Sequence, residues 1–157
     1  METTATRESE NKLVIRRWFE EVWNQGREEA IEELRAPDAV GFGLGETPVA
    51  VRGASGFKVF YHNLRSGLPD LFVTVEHLVA EGDMVAARIL VEGTHMGPGL
   101  GVPPTGQSVQ FSGMLLARVS GGRITESWTN LDQLGLLRQV GAIPASSGPD
   151  RFLSQRG

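Results

Sequence analysis

The chain has 157 residues, 40% hydrophobic and 22% charged, with a formal net charge of −4 and no cysteine. That length supports one core and one domain, and the balance of apolar to charged residues is that of a chain that folds alone rather than a disordered one. The acidic balance and the lack of a basic run exclude attraction to nucleic acid or anionic lipid. Without cysteine there is no disulfide framework, thiolate nucleophile or cysteine-based metal site.

Residues 1–10 are polar and read as a flexible N-terminus without a signal sequence, and no stretch nears the ~20 apolar residues of a membrane span, so a cytoplasmic protein is expected. From Asn11, the residues Val14, Ile15, Trp18, Phe19 and Val22 recur at helical spacing, with Arg16, Arg17, Glu20 and Glu21 opposite them. Asn24-Gln25-Gly26 ends this helix, and a shorter one spans Arg27 to Leu34, with Glu28 and Glu29 at its positive end. Ala36-Pro37-Asp38 predicts a turn into a short strand from Val40 to Leu44. After Gly53, the residues Phe57, Phe60, Tyr61 and Leu64 mark a third helix closed by Gly67.

The second half changes character. Leu71 to Ala80 and Met84 to Thr94 are strands joined at Glu81-Gly82-Asp83, and Ser108 to Val119 and Arg123 to Leu131 are strands joined at Ser120-Gly121-Gly122. Between the hairpins, Met96 to Gln107 holds too many glycines and prolines for a strand interior or a helix and reads as a rim loop. Leu134, Leu136, Leu137 and Val140 suggest a last helix stopped by Gly141. Helices followed by an antiparallel meander give an α+β domain over residues 11–143, with residues 144–157 as a flexible tail. A strongly curved sheet cannot close flat on its helices, so one enclosed, mostly apolar cavity is expected between them.

Several segments follow a family pattern in order: Phe19-Glu20-Glu21-Val22-Trp23-Asn24-Gln25-Gly26, Ala36-Pro37-Asp38 and Gly53 with Gly56-Phe57; then Leu68-Pro69-Asp70-Leu71 and Gly93-Thr94-His95; then Gly101-Val102-Pro103-Pro104-Thr105-Gly106, Phe111-Ser112-Gly113 and Leu136-Leu137-Arg138-Gln139-Val140-Gly141. Over roughly Asn11 to Gly141 the chain resembles the SnoaL-like polyketide cyclases. The resemblance implies a cone-shaped, nuclear-transport-factor-2-like fold, a homodimer, and ring closure on a small apolar polyketide-like substrate without metal or organic cofactor. It also implies a carboxylate on the last strand as base, with a histidine on the neighbouring strand.

The chain departs from that pattern. Anchored on the Ser120-Gly121-Gly122 turn, the aspartate position falls on Thr129 and the histidine position on Leu115, and neither side chain moves protons near neutral pH. A further polar position of the family falls on Gly41. With Thr129 inward, Ser127 and Leu131 share its face, while Glu126 points away toward Arg118. The substrate wall is therefore assigned to Trp18, Phe42, Ile89, Leu115 and Thr129, and the candidate catalytic groups to His95, Asp132 and Tyr61. Each has a plainer reading: Asp132 as a helix cap, His95 as a ligand of loop backbone, Tyr61 and Trp18 as core. Trp128 suits a dimer contact, Trp23 a structural role, and the three histidines show no metal-binding spacing.

A shape-driven ring closure, such as a cycloaddition, stands ahead of an aldol closure because it needs no proton transfer. The alternatives are a non-catalytic binding or dimerisation module, and an epoxide-opening hydrolase using Asp132 or Asp38 to hold water. Asp38 has the plainer role of stabilising the turn after Pro37.

Overall fold

The computed structural model describes residues 3–44 and 49–144; part of the expected tail, residues 145–157, lies outside them. The elements in chain order are α1 (Thr4–Arg17), π-helical turns (Trp18–Asn24), α2 (Ala30–Leu34), β1 (Arg35–Phe42), β2 (Val51–Arg52), α3 (Gly53–Gly67), β3 (Phe72–Glu81), β4 (Met84–Thr94), a 3-10 turn (Pro98–Leu100), β5 (Ser108–Ser120), β6 (Arg123–Leu131) and α4 (Gln133–Gln139). The six strands form one sheet in the order β2-β1-β6-β5-β4-β3, antiparallel except for the β1–β6 pair. The sheet is curled but not closed, and the fold is the α+β, nuclear-transport-factor-2-like one. No helix among the described residues is long and apolar enough to cross a membrane.

Two expectations are corrected. The first helix starts at Thr4, not Asn11: the Thr3 hydroxyl caps it by accepting from the Thr6 amide at 3.1 Å, and Glu8 accepts from the Gly82 amide in the β3–β4 turn at 2.9 Å. Residues 4–10 are thus helical rather than a loose N-terminus; their polarity reports exposure, not lack of structure. Ala36-Pro37-Asp38 lies inside β1 rather than before it, at an irregularity in register between Arg35 and Val40. A proline fits a strand at such a bulge because no ladder amide is required there.

The end of the first helix fixes the roof of the interior. Its last turns widen to i→i+5 bonding, with the Gln25 amide reaching the Glu20 carbonyl at 2.8 Å. Widened turns free carbonyls for other donors. The Tyr61 hydroxyl donates to the Val22 carbonyl at 3.2 Å and Arg65 donates to the Trp23 carbonyl, both from α3. Asn24 then acts as a strand partner for the edge strand β3: its Oδ1 accepts from the Val73 amide at 2.7 Å and its Nδ2 donates to the Val73 carbonyl at 2.9 Å. One side chain caps a sheet edge and ties helix to sheet.

Asn24→Ala leaves both Val73 groups unpaired in a partly buried setting, and should lower unfolding free energy by about 2–3 kcal/mol in a urea titration. Asn24→Asp should fare no better, since its carboxylate would face the Val73 carbonyl.

Candidate active site

Between the helices and the concave side of the sheet lies a cavity walled by Trp18, Phe19, Trp23, Phe57, Phe60, Leu64, Leu71, Val73, Ile89, Val91, Leu115, Ile124 and Leu131, with Leu44, Arg35, Ser127 and Thr129 completing it. The volume open to the centre of a water-sized sphere is about 50 Å³, a narrow slot with room for a few waters at most. A wider groove, about 280 Å³ by the same measure, lies beside it under the Gly99–Gly101 turn and α4 and shares Phe60, Leu64 and Leu131 with the slot. Those three side chains form the partition between the slot and the groove.

The polar part of the slot comes from β1 and β6, whose parallel register sets Gly41 beside Ser127. Alternation along β6 turns Ser127 and Thr129 into the slot, and sends Glu126 outward to Arg118 at 3.3 Å. Arg35, at the start of β1, is 2% exposed. Its Nε donates to the Gly53 carbonyl at 3.3 Å, and its Nη2 faces the carbonyls of Ala39 at 3.5 Å and Val51 at 3.4 Å. The guanidinium lies 5.4 Å from the centre of the Phe57 ring. It makes no ion pair among the described residues. Burial pushes its pKa below the ordinary arginine value, and a guanidinium stays protonated nonetheless. A Cβ at Gly41 would stand 3.1 Å from Leu44 Cδ1 and 3.2 Å from both Arg35 Nη2 and Ser127 Oγ, so glycine lets these three side chains pack close against the strand.

Four of the residues assigned to the substrate wall, Trp18, Ile89, Leu115 and Thr129, line this slot. Phe42 does not. It pairs in register with Trp128 on the convex side of the sheet, the two rings stacked at 6.1 Å; alternation from Gly41, which lies beside the inward Ser127, sends Phe42 outward. Tyr61 is buried but outside the wall, its hydroxyl committed to Val22, and desolvation raises its pKa. Asp132 is exposed and caps α4, accepting from the Gly135 amide at 2.9 Å. Trp23, assigned a structural role, lines the slot. Arg35 carries no sequence-level assignment; extending β1 back to it would have placed a charge on the inward parity shared with Ala39 and Gly41.

His95 is fully buried beneath the rim loop and does not line the slot. Its Nδ1 accepts from the Thr105 amide at 3.3 Å and lies 2.9 Å from the Thr105 hydroxyl, which places its proton on Nε2, an atom without a partner among the described residues. The neighbouring motifs serve the same loop. Asp70 accepts from the Thr94 hydroxyl and amide, both at 2.7 Å, and these bonds hold its carboxyl below the usual range. Gly97 and Gly99 let the loop run against α3, where a Cβ would stand 1.8 Å from the carbonyl oxygens of Ser66 and Asn63 respectively. Segments 68–71, 93–95 and 97–105 thus build the rim.

Among the described residues, no three or more His, Asp or Glu side chains group to hold a metal. The slot can grip an oxygen through Arg35, Ser127 and Thr129, and it can constrain an apolar chain along its aromatic walls. Arg35, the one ionisable group among the described residues of its wall, keeps its proton.

Comparison with known proteins agrees with this architecture. The SnoaL-like polyketide cyclase family matches residues 13–140. Among solved structures, a protein from Jannaschia sp. CCS1 named as a SnoaL-like polyketide cyclase is 29% identical with a TM-score of 0.80, covering 92% of this chain and 100% of its own. IdmH from Streptomyces antibioticus, named as a polyketide cyclase, is 33% identical with a TM-score of 0.74, covering 83% and 98%. AclR from Streptomyces galilaeus, named as a hydroxylase, is 30% identical with a TM-score of 0.78, covering 94% and 89%. Among curated proteins, none matches the sequence. With the match spanning most of the chain and the fold and cavity in accord, the protein belongs to the SnoaL-like polyketide cyclase family.

Proposed function

We propose that the protein is a cofactor-independent cyclase that closes a ring on a polyketide-like chain by holding it in a reactive fold, without a side-chain acid or base. The observation that carries this reading is the make-up of the slot among the described residues: aromatic and aliphatic walls, one permanent cation, two hydroxyls, and no carboxylate or imidazole. An aldol closure needs a base whose pKa lies near the working pH, and the positions that would supply it hold Thr129 and Leu115. A cycloaddition needs only that the reacting carbons be brought together, and orientation of that kind can remove about 7–11 kcal/mol of barrier. Arg35 aids either the grip or the reaction by donating to an oxygen of the substrate at one end of the slot.

The hydrolase alternative loses its support here, since Asp132 is committed to a helix cap and neither it nor Asp38 faces the slot. The non-catalytic binding module stays as the alternative reading, since the slot as it stands holds a few waters at most. The slot is narrow, so a ring-sized substrate would swing Phe60 aside and extend into the groove beneath the rim loop.

The homodimer expected of the family fits the convex face of the sheet. There the Phe42–Trp128 pair adjoins Leu116, 40% exposed, which lies opposite Trp128 in register, and Met114 beyond it is 45% exposed. A second copy covering this stripe would leave both slots facing away from the interface.

Incubated with a linear polyene polyketide precursor, the protein should yield a product of unchanged mass in which two new carbon–carbon bonds close two rings at the expense of two π-bonds, seen as a new chromatographic peak of the same mass with loss of conjugated absorbance. His95→Gln and Asp132→Asn should keep turnover within about threefold, whereas Leu115→Trp, which fills the slot, should reduce it by at least tenfold. The rate should be flat from about pH 6 to about pH 9, because no wall residue titrates there; a bell-shaped profile or an inactive Asp132→Asn enzyme would establish proton transfer instead. Leu116→Glu should convert the dimer to a monomer in sedimentation velocity without loss of helix or sheet signal; an unchanged sedimentation coefficient would place the interface elsewhere.

A further inference from the structure

Among the described residues, the wall of the slot carries a full positive charge and no negative one. Taking a guanidinium out of water costs several kcal/mol, recovered only where a good partner is supplied. The partners present are poor: three neutral carbonyls at 3.3–3.5 Å and the face of Phe57. Nη1 has no hydrogen-bond partner among the described residues, and neither do the hydroxyls of Ser127 and Thr129. Gly41 lets the guanidinium and the Ser127 hydroxyl pack close against β1, so the charge and the hydroxyl share one patch of the wall. The rest of the wall is apolar, which makes the slot amphiphilic, with one cationic end and a hydrocarbon body.

We infer that the slot is built for a ligand with a free carboxylate at one end, seated on Arg35 with Ser127 and Thr129 alongside, and an unsaturated hydrocarbon chain along the aromatic walls. This rests on the reading of the slot as the substrate site and narrows the substrate class to acids rather than esters, amides or alcohols. A carboxylate matches the planar fork of a guanidinium and its bonds are charge-assisted, whereas a neutral carbonyl would leave the buried cation uncompensated. Two hydroxyl donors beside the fork can satisfy the lone pairs the arginine does not reach.

The test uses 2,4-decadienoic acid and its methyl ester as probes, followed through the fluorescence of Trp18 and Trp23 in the wall, with Trp128 outside it as a constant background. The acid should bind the wild-type protein at least tenfold more tightly than the ester. Arg35→Met, of similar length and uncharged, should erase that preference by weakening the acid alone. Ser127→Ala, which removes one hydroxyl and keeps the charge, should weaken the acid about threefold to tenfold and leave the ester unchanged, a readout independent of how well Arg35→Met folds. Equal affinity for acid and ester, or a preference that survives in Arg35→Met, overturns the carboxylate assignment while leaving the slot as a binding site. Failure of both probes to bind overturns the assignment and the reading of the slot together.

Discussion

The interior of this protein depends on how the first helix is held off the sheet. Its last turns are wider than an α-helix, and the carbonyls released there are taken by Tyr61 and Arg65 from α3, while Asn24 pairs with the backbone of β3. Helix, helix and sheet edge are thus locked at one corner by polar bonds of fixed length. Apolar packing alone would draw the layers together, since every methylene taken from water favours collapse. Bonds with set geometry, together with the large rings of Trp18, Trp23 and Phe57, hold the roof at a height that leaves a slot beneath it.

A buried arginine beside that slot is hard to explain as a stabilising feature. Its hydrogen bonds are long and its partners neutral, and replacement by an apolar residue of similar size would spare the desolvation cost. The ligand we propose for the slot would supply the partner that these carbonyls do not. The same comparison explains why Tyr61 and Asp132, chemically apt for catalysis, are not part of the site: both have their polar atoms committed to backbone partners.

The glycine-rich rim is equally physical. Gly97 and Gly99 permit a backbone approach to α3 that no other residue could make, Asp70 holds the end of β4 through Thr94, and His95 grips Thr105 across the loop. Motifs that mark the family in the sequence therefore serve largely to position a loop over the groove through which the slot is reached. Chemistry can vary beneath a constant rim, and here the acid–base positions hold Thr129 and Leu115 instead.

The sequence by itself determined the helices from Trp18 and Phe57, the two hairpins, the α+β class, the family, and the inward parity of Ser127, Thr129 and Leu131. These rest on local periodicity, turn chemistry and motif order, which are properties of neighbouring residues. The start of β1 is visible only in three dimensions, since the exposed Pro37 and Asp38 interrupt the apolar pattern ahead of Val40, and without that boundary the inward place of Arg35, on the parity of Ala39 and Gly41, goes unread. Where Tyr61, Asp132 and His95 lie relative to the slot is likewise visible only in three dimensions. Whether a polar side chain faces a substrate or a carbonyl depends on what a distant segment brings within 3 Å of it, and no spacing along the chain records that.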